Sequence, residues 1–208
     1  MQKKNIKQIL TKGLLMLEID SSYVDKLLEY IYLLDKWNKT YNITAIRDLE
    51  QMVILHLIDS ASVYSYLKGN SIIDVGTGGG IPGIIFAILN PELKVTLLDS
   101  NQKKTRFLRF AQRQLKLANI HIVCERVEKY QPRLAYDVVI SRAFSEVGNY
   151  LSLAGHLCAD CGAMYAMKGP RIETEQNVSN LGFSLDQEIN IDVPLLDATR
   201  RLLIFNKI

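Results

Sequence analysis

The residues best suited to gripping a small ligand are two acids and a run of glycines. In "IIDVGTGGGIPG", residues 72 to 83, Asp74 is followed by five glycines within eight positions. An apolar strand pattern precedes the loop and an apolar helix pattern follows it, the context in which such a loop becomes a ligand site. Two registers compete. Gly78, Gly80 and Gly83 satisfy G-x-G-x-x-G with Asp99 downstream, as a dinucleotide fingerprint asks. Gly76, Gly78 and Gly80 give instead D-x-G-x-G-x-G, headed by Asp74. The first register is the weaker. Its first glycine stands two places past Gly76, and Pro82 falls inside its motif. In the second, Asp74 is an acid at the strand's carboxyl end, suited to an ammonium group. S-adenosylmethionine carries an ammonium and no phosphate. Thr77 and Gly78 then lie inside the gripping loop, and Asp99 can accept hydrogen bonds from ribose hydroxyls in either register. A ligand-free glycine turn is the bland alternative; the second acid at the next strand end argues against it.

Two downstream stretches extend this pattern. In "CERVEKY", Val127 and Glu128 fall where an adenine is held, by apolar contact and by a backbone or carboxylate hydrogen bond. In "SRAF", residues 141 to 144, Arg142 stands where substrate chemistry belongs. The Asp or Asn, Pro, Pro, aromatic pattern of amino-group methylation is missing there. So is the cysteine needed to activate a pyrimidine carbon. Arginine is a poor general base because its guanidinium stays protonated in proteins. The target atom should therefore need no deprotonation. Guanine N7 fits, with Arg142 donating to O6 or to the cofactor carboxylate while the site positions N7 in line with the methyl group. A purely structural Arg142, paired with an acid such as Glu146, is the competing reading.

The elements that position these residues follow from hydrophobic period. The expected architecture is α/β. Its mostly parallel seven-stranded sheet has an antiparallel C-terminal edge, and a helical extension spans residues 1–70 ahead of a methyltransferase domain at 71–208. Residues 5 to 67 read as helical. Ser21 or Ser22 is the expected N-cap of a helix carrying Val24, Leu27, Leu28, Ile31 and Leu34 on one face. "NKTYNITAIRD" is a polar break, and 49–67 reads as a second helix ended by Gly69-Asn70. Strands are expected at 71–75, 94–99, 120–125, 136–141 and 162–168, with helices at 81–90, 101–118 and 147–157. That alternation implies parallel strands with right-handed crossovers. "SLDQEINIDV" and "RRLLIFNKI" read as an antiparallel pair at one sheet edge.

Charge gives the substrate class. The 208 residues are 48% hydrophobic and 23% charged, with net charge +3, so overall charge is only mildly basic. Its distribution is not even. "NQKKTRFLRFAQRQLKLA" has no acid, and Arg106, Arg109, Arg113 and Lys116 share one helix face. A basic face suits a phosphate backbone, although a solvated face is the plain alternative. Arg126, Arg133, Lys168, Arg171, Arg200 and Arg201 add charge, several of them after candidate strands. Three cysteines form no disulfide framework, and no apolar run is long enough for a membrane span, so a reducing cytoplasmic setting is expected. "HLCADC" places His156, Cys158 and Cys161 together, but without a second cluster or fourth ligand the expectation is no metal. His56 reads as a satisfied core histidine. Trp37, Tyr41 and Asn42 either cover the cofactor, stack a base or pack a helical hairpin.

Taken together, "KWNKTYNITAIRD", "HLIDS", "DVGTGGGIPG", "LLDSNQKKTRFLR", "RVE", "YDVVISRAF" and "YAMKG" resemble the bacterial 16S ribosomal RNA guanine-N7 methyltransferase family, also called glucose-inhibited division protein B. The resemblance runs over residues 20 to 208. It implies a class I, Rossmann-like α/β methyltransferase fold, S-adenosylmethionine as cofactor and one guanine of 16S ribosomal RNA as target, reached within a small-subunit particle by a cytoplasmic monomer. On matching positions, Gly76, Ile81, Val127, Glu128 and Arg142 are implied to touch the cofactor. Arg126, Lys168 and Arg200 are implied to be active-site cations facing RNA.

Overall fold

A computed structural model describes residues 2–144, 146–169 and 178–208; Arg171 lies outside them. Seven strands form one sheet in the order β3-β2-β1-β4-β5-β7-β6. They are β1 Ser71–Val75, β2 Lys94–Leu98, β3 Ile120–Val123, β4 Tyr136–Ser141, β5 Cys158–Lys168, β6 Phe183–Ile191 and β7 Arg200–Lys207. β1 pairs in parallel with β2 and β4, β2 with β3, and β4 with β5. β7 runs antiparallel to both β5 and β6, so the expected hairpin does close one edge.

The strand order reverses between β1 and β4, and a crevice opens at their carboxyl ends. The glycine loop and "SRAF" both emerge there. β1 is buried along Ile72–Val75, as a strand covered on both faces must be. Helix α5 (Gly83–Leu89) is buried on every side, which matches its unbroken apolar sequence. Helix α6 (Gln102–Gln114) instead buries Phe107, Leu108 and Ala111 and exposes Arg106, Arg109 and Arg113. Helix α7 (Val147–Ala154) covers the other face through Tyr150 and Leu151.

The helices before the sheet share its core. α1 (Gln2–Met16) and α2 (Val24–Tyr41) contribute Leu10, Leu14, Leu27 and Ile31 to one apolar cluster with Ile84, Phe86 and Leu97. Three details differ from expectation. Asp20, not Ser21 or Ser22, caps this region: its carboxylate accepts from Ser22 N, and a short 3-10 turn then leads into α2. Trp37 and Tyr41 lie on α2 itself, which ends at Asn42 in the left-handed region. Trp37 packs on Phe107 and Phe110 of α6, with ring centroids 5.6 and 5.2 Å away.

The third difference concerns 49–67, which is not one regular helix. α3 (Leu49–Met52) widens into a π-helix over Val53–Ile58, followed by a short turn α4 (Asp59–Ala61). Asp59 N–H donates to the Ile54 carbonyl, five residues back. Such wide turns displace the following side chains around the helix axis and often occur at functional sites. Among the described residues, no helix is long and apolar enough to cross a membrane.

Candidate active site

The glycine loop is a closed circuit of hydrogen bonds. Gly76 and Thr77 N–H both donate to the Leu98 carbonyl, and Gly80 and Ile81 N–H both donate to the Thr77 carbonyl. Gly78 N–H donates to Asp99 Oδ2 at 2.9 Å, and Gly83 N–H donates to Asp74 Oδ2 at 2.9 Å. Six amides that could have cradled a phosphate are therefore engaged inside the protein, two of them by carboxylates. Carboxylates here repel a diphosphate and favour a cationic ligand. The backbone selects the same register. Gly76, Gly78 and Gly80 have φ of +70°, +60° and +95°, whereas Gly83 lies in α5 without a positive φ. Side chains rarely adopt that region, so the D-x-G-x-G-x-G register is the one the turn requires.

These glycines differ in what surrounds them. A Cβ at Gly80 would lie 2.5 Å from Ile84 Cδ1, and one at Gly76 would lie 2.7 Å from Ala143 Cβ. A Cβ at Gly78 would meet nothing closer than 3.9 Å and would project into the space over the loop. That cradle, with Asp99 holding the Gly78 amide and most of its other amides taken up internally, fits S-adenosylmethionine.

Asp74 is placed differently from its expected exposure to an ammonium. It is fully buried, and its Oδ2 also accepts from Thr77 Oγ1 at 2.6 Å. Its Oδ1 is buried with no hydrogen-bond partner. Burial pushes the Asp74 carboxyl up to about 6, against the bonds from Thr77 and Gly83. Thr77 and Ile81, 2% and 8% exposed, likewise turn inward and shape the loop. Asp99 is also buried, 7% exposed, with Asn101 N–H on Oδ1 at 2.8 Å and Lys104 Nζ 3.8 Å from Oδ2. Val127 begins a short 3-10 turn after β3, half-buried against the sheet, while Arg126 and Glu128 on either side are exposed.

A second constellation lies at the ends of β4, β5 and β7. Ser141 Oγ donates to the Val75 carbonyl and accepts from Ala143 N–H, which fixes "SRAF" beside the glycine loop. Arg142 turns to the π-helix. Its Nη1 donates to the Leu55 carbonyl at 3.0 Å and to Asp59 Oδ2 at 3.2 Å, so Asp59 takes the place expected for Glu146. Arg200 Nε lies 3.3 Å from Asp59 Oδ1. Arg201, its neighbour, pairs with Glu188 at 2.7 Å. Arg142, Lys168, Arg200 and Arg201 all line one cavity of about 280 Å³ with Asp59. The expected pair Lys168 and Arg200 thus meets Arg142; Arg106 and Arg109 stay apart on α6, beside Cys124.

Asp59 and Lys104 were not singled out from sequence. Asp59 stood in sequence as a lone acid inside the apolar run "VILHLIDSA" and within the resemblance stretch "HLIDS", with no role attached to it. Burial pushes its carboxyl up, opposed by the charges of Arg142 and Arg200. His56, one turn earlier, is buried with Nε2 3.0 Å from Thr44 Oγ1; burial, then the charge of Arg142, hold it down at about 4. His156 Nε2 contacts the Tyr130 carbonyl, Cys158 is buried and Cys161 exposed.

The wider sequence matches a family model described as rRNA small subunit methyltransferase G over residues 23–204. The protein of that name from Nitrosococcus oceani is 45% identical over 196 residues, covering 93% of this chain and 92% of the relative. Its counterpart from Legionella pneumophila subsp. pneumophila is 51% identical over 170 residues, covering 82% and 81%. A solved SAM dependent methyltransferase from Aquifex aeolicus shares the fold at TM-score 0.61 and 14% identity, over 79% of this chain and 96% of that one. With the glycine loop and the arginine cavity side by side on that fold, the chain belongs to the rRNA small subunit methyltransferase G family.

Proposed function

We propose that this chain methylates N7 of one guanine in 16S ribosomal RNA, using S-adenosylmethionine, and acts as a cytoplasmic monomer on a small-subunit particle. One observation carries this reading. A glycine loop that spends most of its amides internally is tied, through the Ser141 Oγ bond to the Val75 carbonyl, to the segment whose arginine lines a cationic cavity. The first feature supports a cationic cofactor; the second supports a polyanionic substrate.

S-adenosylmethionine, when bound, supplies a methyl group activated by its sulfonium. Gly76, Gly78 and the Asp99 carboxylate would hold it, with Val127 and Glu128 at the adenine end. Asp74 and Thr77 keep the loop in shape. The guanine N7 lone pair is free at neutral pH, so no side chain has to remove a proton. This suits a site whose most central polar group is an arginine. The chain's contribution is orientation: N7 held in line at near-attack distance. In A-form RNA that atom lies in a deep groove closed to side chains, so the guanine must be presented in a loop or an opened region.

The test is mass-spectrometric mapping of 16S ribosomal RNA from cells with and without the protein. Loss of a single 7-methylguanosine, restored by the gene and not by an Arg142→Ala variant, is the expected result. An unchanged modification map overturns the reading.

A further inference from the structure

We propose that Asp59 is a positioning residue: it sets the guanidinium groups of Arg142 and Arg200 as a paired clamp for a phosphodiester of the RNA substrate. The inference rests on the ribosomal RNA methyltransferase reading and names the contact that reading leaves open. Asp59 is only 4% exposed, yet two arginines from segments far apart in sequence converge on it, one on each oxygen. Arg142 is anchored a second time by the Leu55 carbonyl, which the π-helix aims at the same nitrogen. Arg200 is anchored from β7, where the antiparallel register sets its neighbour Arg201 opposite Lys168. Two guanidiniums held this close repel each other without the carboxylate between them. With it, Nη1 of Arg142 is hydrogen-bonded and Nε of Arg200 lies within ion-pair distance, and both side chains stay partly exposed around the cavity.

Charge decides what that cavity accepts. Four cationic side chains line it; Asp59 lies against Arg142 and Arg200, and Glu188 pairs with Arg201, so the balance of these described groups stays positive and favours a permanent anion. N7 methylation leaves a positive charge on the purine ring. Guanidiniums directed at the ring would oppose product formation, whereas guanidiniums directed at a neighbouring phosphodiester face a charge that does not change. Paired arginine forks also match phosphate oxygens in geometry. The apolar part of the lining, Val63, Met167 and Ile191, leaves room for the sugar or base attached to that phosphate.

The experiment compares the full-length enzyme with Asp59→Asn, using small-subunit particles as substrate. The expected result is an RNA KM raised at least about tenfold. The slope of log affinity against log salt should fall by about one, since a phosphate contact is lost. S-adenosylmethionine affinity should stay within about threefold of the parent, because the glycine loop is untouched. In an Arg142→Ala, Arg200→Ala background, Asp59→Asn should cost nothing further; additive losses overturn the proposal. So does an unchanged RNA KM and salt slope, or an equal loss of cofactor and RNA affinity. Asp59→Glu keeps the charge and displaces it by one methylene. It covers the case in which the asparagine variant fails to fold: a raised RNA KM supports the clamp, and a parental KM overturns it. If the parent enzyme leaves 16S RNA unmethylated, the functional reading itself fails. A methylating parent beside an unaltered Asp59→Asn enzyme defeats only this inference.

Discussion

The two halves of the site are built in opposite ways. The cofactor half is local: Asp74, Thr77 and the glycines from 76 to 83 span ten residues, and one strand, one turn and one helix hold them. The half proposed to meet RNA is assembled from a π-helix near residue 59, a strand end at 142, another at 168 and a third at 200. Both use buried carboxylates, but for different tasks. Asp74 holds backbone amide and hydroxyl donors and so fixes a shape; Asp59 holds two side-chain cations and so fixes a charge pattern. A local turn fails when its backbone is strained. A convergent cluster fails when any one of its distant members is lost.

The largest expected effect comes from straining the local half. Gly80→Ala forces a side chain to φ +95° with its Cβ 2.5 Å from Ile84 Cδ1. The combined backbone and overpacking cost is about 3 kcal/mol of stability, readable as a lower urea midpoint. Gly78→Ala sharpens the contrast, because its Cβ meets only ordinary van der Waals contacts at 3.9 Å. It should lose only about 1 kcal/mol of stability but most of its S-adenosylmethionine affinity in calorimetric titration. Equal stability losses in the two variants, or intact cofactor binding by Gly78→Ala, would show that the loop does not cradle the ligand.

Acid should act on the two halves in opposite directions. His56, beside the RNA half, has its folded pKa depressed to about 4 from 6.5. Between those values the unfolded chain binds the extra proton. Its contribution to stability is therefore present above pH 6.5 and is lost as pH falls toward 4, by roughly 2–3 kcal/mol. Asp74 has its folded pKa raised to about 6 from 3.8, so its burial penalty is relieved as pH falls through 6. A pH series of unfolding midpoints separates the two. The difference between parent and His56→Gln should shrink on going from pH 7 to pH 4.5, since only the parent must keep an uncharged imidazole. A difference that stays constant with pH would mean that His56 is not held neutral by its burial.

The same contrast accounts for what was legible in sequence. The strand order, the antiparallel edge and the glycine loop follow from hydrophobic period and from residues close together in the chain, and both outline and register can be read there. Asp59 could not be read in this way. Its role depends on Arg142 and Arg200, 83 and 141 positions away, and on π-turns that no local pattern announces. Asp74 shows the reverse error: its type and position were plain, but the side chain turns inward because Gly83 N–H and Thr77 Oγ1 lie beneath it. Trp37 was legible as an aromatic near the loop, but only packing against α6 shows that it faces Phe107 and Phe110 rather than a ligand.

The smallest expected effect tests how far the RNA half extends. Arg106, Arg109 and Arg113 are exposed along α6, and none of them lines the arginine cavity. Their helix buries its apolar face normally, so charge removal there leaves folding intact. If RNA lies across both regions, Arg109→Ala should weaken binding by a few-fold and lower the salt slope by about one, with no change in turnover at saturating RNA. Arg142→Ala should instead lower turnover itself, because it acts beside the glycine loop. A salt slope that ignores Arg109→Ala would confine the RNA footprint to the ends of β4, β5 and β7, making the basic face of α6 a solvated surface.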